Sequence, residues 1–158
     1  MRTIKFRGIR LDDFQISGRT DWCYGYPVPY FNRNKEQLYL MQKVTGSSIY
    51  GHPIIPETLG QSTGLLDIHG REIYEGDIVR YRISDDRFTK NPKYVNLAVN
   101  FNSHSANFQV GNIFWKRLNP ERMEVIGNVY LNQDLLEDEN KYIVINHEKC
   151  YFFSVFPT

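Results

Sequence analysis

The residue types best suited to chemistry gather in the middle of the chain. Gly60-Gln61-Ser62-Thr63-Gly64 has glycines spaced as in a loop that could fold its N–H groups around a phosphate. Such a loop needs Lys and then Ser or Thr after its second glycine. Leu65 and Leu66 stand there instead, so nucleotide binding is not expected, and Thr58, Gln61, Ser62 and Thr63 read as satisfying backbone groups in a tight loop. Asp67 and His69 could form an acid–base pair or share a metal. Both also suit a turn beside Gly70, and the turn is the favoured reading. His52, His104 and His147 stand alone, without a second ligand at metal spacing and without an HExxH pattern. Cys23 sits in an aromatic strand with no cation near it in sequence, which reads as a buried, inert thiol rather than a nucleophile. The acidic run Glu137-Asp138-Glu139 reads as solvated surface. A two-metal nuclease needs carboxylates converging from several strands, and nothing in the sequence asserts such a set. No catalytic residue, metal ligand, cofactor or small-molecule substrate is assigned, and an enzyme is not expected.

Two binding readings remain. Arg80-Tyr81-Arg82 and Phe114-Trp115-Lys116-Arg117 interleave aromatics with cations, which can stack on bases while neutralising phosphates. Arg80, Arg82, Trp115, Lys116 and Arg117 are therefore candidate nucleic-acid contacts. On a strand, however, Arg80 and Arg82 share a face and can equally be its wet side. Trp22, Tyr24, Tyr26, Tyr30 and Tyr39 exceed what a small core obviously needs, and exposed aromatics make good anchors for a protein partner or a homo-oligomer. A second aromatic core is the competing explanation.

The elements that must position these residues follow from composition and pattern. A chain of 158 residues fits one domain or two small, closely packed ones, and buries roughly 68–70% of its unfolded surface. Eleven Tyr and ten Phe favour pleated, half-buried strands. With 19 Lys and Arg against 18 Asp and Glu, the formal charge is +1, which gives no global pull on nucleic acid or an anionic membrane. Cys23 and Cys150 form no CxxC pair, and free thiols in a reducing cytosol are expected although one bridge stays open. The start Met1-Arg2-Thr3-Ile4-Lys5-Phe6-Arg7 lacks the apolar stretch of a secretory signal, and no apolar run is long enough to span a bilayer. The protein is expected to work where it is made.

Ile4 and Phe6 alternate with Lys5 and Arg7, predicting a first strand. Asp12-Asp13 signals a turn, and Phe14-Gln15-Ile16 opens a second strand. Trp22 to Tyr26 is an aromatic strand, ended by Pro27 and Pro29, and Leu38 to Met41 is a further strand. From Ile49 to Gly76, glycines and prolines punctuate the chain too closely for a long element. That stretch reads as an ordered connection with a helical turn after Pro56, anchored by Ile54, Leu59, Leu65, Leu66, Ile68 and Ile73. Strands then follow at Asp77–Ile83, Tyr94–Phe101, Ala106–Val110 and Met123–Tyr130, with a turn at Asn102-Ser103-His104-Ser105. Gly127 predicts a bulge or close backbone approach, and Asn132 a cap for a helical turn through Leu135 and Leu136. Tyr142–Ile145 and Tyr151–Phe156 complete the series around Asn146-His147-Glu148. The fold class is mainly β with few short helices: a β-rich subdomain over 1–76 and a small antiparallel barrel with extra strands over 77–158.

The densest stretch carries a family resemblance. Glu57-Thr58-Leu59-Gly60-Gln61-Ser62-Thr63-Gly64-Leu65-Leu66-Asp67 with Gly70-Arg71-Glu72-Ile73-Tyr74-Glu75-Gly76-Asp77-Ile78-Val79 resembles the YopX family, small proteins of phages and prophages. Gly60, Gln61, Thr63, Gly64, Asp67, Gly70, Tyr74, Gly76 and Asp77 form its structural motif. Ile4-Lys5-Phe6-Arg7, then Trp22 with Tyr24-Gly25-Tyr26, and Glu124-Val125-Ile126-Gly127-Asn128-Val129-Tyr130 with Leu135-Leu136 match in the same order. Ile9 stands where members often carry an aromatic, and the tail from Lys141 matches nothing. The resemblance implies an SH3-like barrel after the N-terminal subdomain and a bacterial cytoplasm as setting. It implies no reaction, and fold alone does not supply one. The resulting expectation is a non-catalytic protein-interaction or self-assembling module. Nucleic-acid binding by the small barrel is the alternative, and a metal-dependent nuclease stands third.

Overall fold

The computed structural model describes residues 4–12, 20–32, 35–43, 49–83, 94–111, 113–114, 119–136, 144–146 and 149–151. The chain is mainly β, with strands β1 (Phe6–Ile9), β2 (Trp22–Asn32), β3 (Lys35–Lys43), β4 (Ile49–Pro53), β5 (Gly60–Leu66), β6 (Glu72–Tyr74) and β7 (Asp77–Arg82). They are followed by β8 (Tyr94–Asn102), β9 (Asn107–Val110), β10 (Ile113–Phe114), β11 (Met123–Asn128), β12 (Val144–Asn146) and β13 (Lys149–Tyr151). Among the described residues, helix is limited to Leu11 and Asp12 and to 3₁₀ turns at Pro56–Thr58, Pro120–Arg122 and Gln133–Leu136. None of these is long and apolar enough to cross a membrane. Two compact units divide the chain, Met1–Gly64 and Leu65–Thr158.

In the first unit the strands neighbour one another in the order β4-β3-β2-β1-β5. Antiparallel registers set Phe6 against Gly25, Ile9 against Trp22, Tyr26 against Met41 and Tyr39 against Pro53. One face carries the core of Cys23, Leu40 and Ile54, with Phe6, Leu38 and Leu59 packed on it. β2 does not stop at the prolines, as their lack of an N–H had suggested. It runs through Pro27 and Pro29 to Asn32, because from Tyr26 onward its pairing is with β3, while β1 pairs only with Trp22–Gly25. Prolines are tolerated where one edge of a strand asks for no donor.

The glycine-punctuated stretch is more regular than its composition suggests. It holds β4, β5 and β6, and β5 pairs with β1 through Phe6–Gln61 and Arg7–Gly60. Gly60 to Gly64 thus lies in a strand rather than a tight loop, with Gly64 alone at a positive φ of 78°. Thr58 serves the turn before it, accepting the Ile9 N–H at 2.9 Å and donating to the Ile55 carbonyl at 2.6 Å. Of the six expected aliphatic anchors, Ile54 and Ile73 are buried and Leu59 and Leu65 are half-buried, but Leu66 and Ile68 are exposed. Ile68 lies in the turn after β5, where packing has no reach.

The second unit contains a five-stranded antiparallel sheet of order β10-β9-β8-β7-β11, and among the described residues no pairing joins β10 to β11. Val79, Tyr81, Leu97, Val99, Val110, Ile113, Met123 and Ile73 form its buried core. The expected turn before β9 is present: the Asn102 side-chain oxygen accepts the N–H groups of His104 and Ser105. The register of β11 against β7 shifts between Val125 and Gly127. A Cβ on Gly127 would lie 2.7 Å from Asn132 Oδ1, so the expected bulge and close approach both occur there. Asn132 turns its side chain back to accept the Asn128 N–H at 3.2 Å rather than onto the turn that follows it. β12 and β13 form a separate hairpin, while the expected strand at Phe14–Ile16 and residues 152–156 of the last one lie outside the described residues.

Candidate functional site

The central motif is explained by structure rather than chemistry. Asp67 closes the hairpin between β5 and β6: its side chain accepts the N–H groups of His69 and Arg71, both at 2.9 Å, and of Val125 at 3.0 Å. The Arg71 guanidinium adds a pair of bonds to Asp67 Oδ2, from Nε at 2.8 Å and Nη2 at 2.7 Å. Burial raises the Asp67 carboxyl, but the Val125, Arg71 and His69 N–H groups with the Arg71 side chain outweigh it. The group is held below its ordinary 3.8. Gly70 supplies the φ of +77° that this turn requires. One turn further on, buried Asp77 accepts the Tyr74 N–H at 2.8 Å, and Gly76, at φ +81°, bonds Val99 and Val129 through its N–H and carbonyl. These residues brace a sheet, and their carboxylates are committed to backbone donors. Among the described residues no group of three or more His, Cys, Asp or Glu converges as a metal would need.

His69 and Arg80 meet at Glu124, with His69 Nε2 3.4 Å from one carboxylate oxygen and Arg80 Nη1 3.8 Å from the other. Among the described residues of the second unit, this surface trio sets a carboxylate between Arg80 and the His69 ring. Tyr81 faces the core while Arg80 is exposed, so the cation-aromatic interleaving of β7 splits between two faces. A base cannot stack on Tyr81. Trp115, Lys116 and Arg117 lie outside the described residues.

The first unit holds a different kind of surface. Successive side chains of a strand point to opposite faces, and the β2 alternation sends Cys23 to the core and Tyr24, Tyr26, Val28 and Tyr30 to the other side. These four are 45%, 54%, 41% and 53% exposed. Trp22 starts the row, half-buried, with the Arg7 guanidinium 4.3 Å from its ring centroid. Across the ladder, Tyr39 pairs with Val28 and packs its ring 5.2 Å from that of Tyr30. The five aromatics singled out in the sequence thus share one face of two adjacent strands. Tyr24, Tyr26 and Tyr30 are exposed there and Trp22 and Tyr39 half-buried, with buried Ile9 and Arg7 in register with Trp22 and Tyr24. Cys23, Leu40 and Ile54 pack together on the opposite face. At the Trp22 end a cleft of about 530 Å³ opens, lined by Arg10, Thr20, Asp21, Tyr24 and His52 among others. Cys23 is buried, and its sulfur donates to the Gly8 carbonyl at 3.5 Å.

The extent of the open face was not legible beforehand. The strand was expected to end at Pro27 and Pro29, yet both lie inside it, and this sets Val28 on the row. Only the period-two spacing of Trp22, Tyr24, Tyr26 and Tyr30 could have signalled it.

Comparison with known proteins adds the following. A family model described as YopX protein matches residues 24–137. Among solved structures, the crystal structure of protein EF1440 from Enterococcus faecalis is similar to this chain at 19% identity, over 86% of this chain and 99% of that one, with a TM-score of 0.48. No curated protein matches the sequence.

Proposed function

The chain belongs to the YopX family, and from that footing we propose that it is a non-catalytic interaction module of phage or prophage type, acting in a bacterial cytoplasm. Its first unit takes a protein partner, or a second copy of the chain, on the tyrosine face. The sheet of the second unit is read as an SH3-like small barrel. The observation that carries this reading is the exposure of Tyr24, Tyr26, Val28 and Tyr30 on one face of β2. Scattered exposed apolar side chains are ordinary, but a contiguous row of half-exposed aromatics marks an interaction surface. Tyr and Trp are also the side chains that most often anchor interfaces.

Nucleic-acid binding ranks behind it, because Tyr81 is buried and Arg80 leans on Glu124. A photo-crosslinking amino acid placed at Tyr26 tests the reading in living bacteria. The expected result is a discrete crosslinked species, dimer or heteromer, that is missing when the label sits at exposed Tyr94 of the second unit. Equal labelling from both positions, or none from Tyr26, overturns the proposal.

A further inference from the structure

We propose that the tyrosine face seats an extended, proline-rich segment of a partner protein; this deepens, and rests on, the reading that the face binds protein. The surface is long and narrow. From Trp22 to Tyr30 it runs about 26 Å at the usual strand rise, and its width is that of a strand pair spaced about 5 Å apart. Three half-exposed tyrosines with Val28 offer on the order of 400 Å², whereas a standard interface takes about 800 Å² from each partner. A second copy laid on this face would therefore need other surface to hold it. A single extended chain needs only the row itself.

The edge of the same strand narrows the choice of ligand. Adding a strand beside β2 requires a line of N–H donors, and Pro27 and Pro29 supply none. The ligand is thus held by rings on the face, not by a ladder at the edge. A polyproline II segment suits this, since its backbone forms no ladder of its own and aromatic-lined grooves recognise it. The spacing agrees. The interval between the Tyr24 and Tyr26 positions centres on position 25, and that between the Tyr26 and Tyr30 positions centres on Val28. Their centres are about 10 Å apart along the strand, close to the roughly 9 Å rise of one three-residue polyproline II turn.

Charge separates this ligand from single-stranded nucleic acid, which also stacks on aromatic rows. Among the described side chains beside the row, Arg7 is buried over the Trp22 ring and Lys5 is exposed at one point, which is not a track of cations. A phosphate backbone needs exposed cations tracking it, and a proline-rich peptide does not.

Fluorescence anisotropy on the full chain tests the proposal, with labelled decaproline, a labelled Gly-Ser decamer and labelled oligo-dT as probes. Decaproline is expected to bind saturably and roughly tenfold or more tighter than the Gly-Ser decamer. Tyr26→Ala with Tyr30→Ala weakens it by roughly tenfold or more, while the corresponding Phe pair and Tyr94→Ala leave it within about threefold. Circular dichroism melts establish that each variant is folded. Decaproline binding no tighter than the Gly-Ser decamer overturns the proposal, as does equal binding by the Ala pair. Oligo-dT binding that the Ala pair abolishes gives the face to nucleic acid instead. A Tyr26 crosslink in cells without decaproline binding removes the peptide and keeps the protein-binding reading, and absence of both removes the two together.

Discussion

The two units use their sheets in opposite ways. In the second, one face of β7, β8, β9 and β11 closes on Val79, Leu97, Val99, Val110 and Met123, and buried Asp67, Asp77 and Asn128 fasten the turns around it. In the first, a smaller core of Cys23, Leu40 and Ile54 occupies one face, while the larger apolar side chains of β2 stand in solvent on the other. A strand rich in tyrosine can serve either purpose, because the ring is apolar and the hydroxyl tolerates water. The contrast separates residues that hold the fold from residues that the fold presents. Substitutions in the second unit should therefore act on stability, and those on the tyrosine face on association.

The largest expected effect is in the packed core. Met123→Ala should cost about 3 kcal/mol, since a fully buried side chain leaves a cavity that the sheet relaxes into only partly. Chemical denaturation followed by far-UV circular dichroism measures it. A cost under about 1 kcal/mol would mean that the core is not the tightly packed one described.

Asp67→Asn should come next, at about 1–3 kcal/mol near neutral pH, because the carboxylate accepts three backbone N–H groups and an arginine. The effect has a pH signature. The Asp67 carboxyl is lowered from 3.8 in the folded chain, so its stabilisation is complete above that value and is lost as pH falls through the lowered folded one. Wild type and variant should converge in melting temperature below pH 3.8, and parallel curves there would contradict this.

Gly76→Ala is expected to cost about 1–2 kcal/mol through its φ of +81° alone. Any further loss reflects the Tyr130 ring, 2.9 Å from where a Cβ would sit. Thermal melts of Gly76→Ala alone and with Tyr130→Ala divide the two contributions, and the double variant should recover part of the loss. The smallest effect on stability is at the tyrosine face: Tyr26→Ala with Tyr30→Ala should stay within about 0.5 kcal/mol per site, as surface changes do. A loss of several kcal/mol would show that the row is core.

What could be read in advance was what is encoded locally. Gly70, Gly76 and Gly127 disclose themselves because turns and close approaches have few residues that fit, and Asp67 beside Gly70 reads as a turn for the same reason. The β7–β8–β9 meander is legible because Val95, Leu97, Val99 and Phe101 keep a strict period of two. The strands of the Ile49–Tyr74 stretch were not legible, since β5 owes its form to a distant partner, Phe6 and Arg7 of β1, which overrides the glycines that suggest a loop. Likewise, periodicity puts Tyr24, Tyr26 and Tyr30 on one face but not which face is covered. That depends on where Cys23, Leu40 and Ile54 gather.

Tyrosine iodination read by mass spectrometry tests most directly whether that face is an open binding surface. In the free chain Tyr24, Tyr26 and Tyr30 should label quickly alongside exposed Tyr94, while buried Tyr74 and Tyr81 label slowly. In extract from a bacterial host, only the first three should become protected. Slow labelling of those three in the free chain, or protection of Tyr94 to the same degree, would contradict the account.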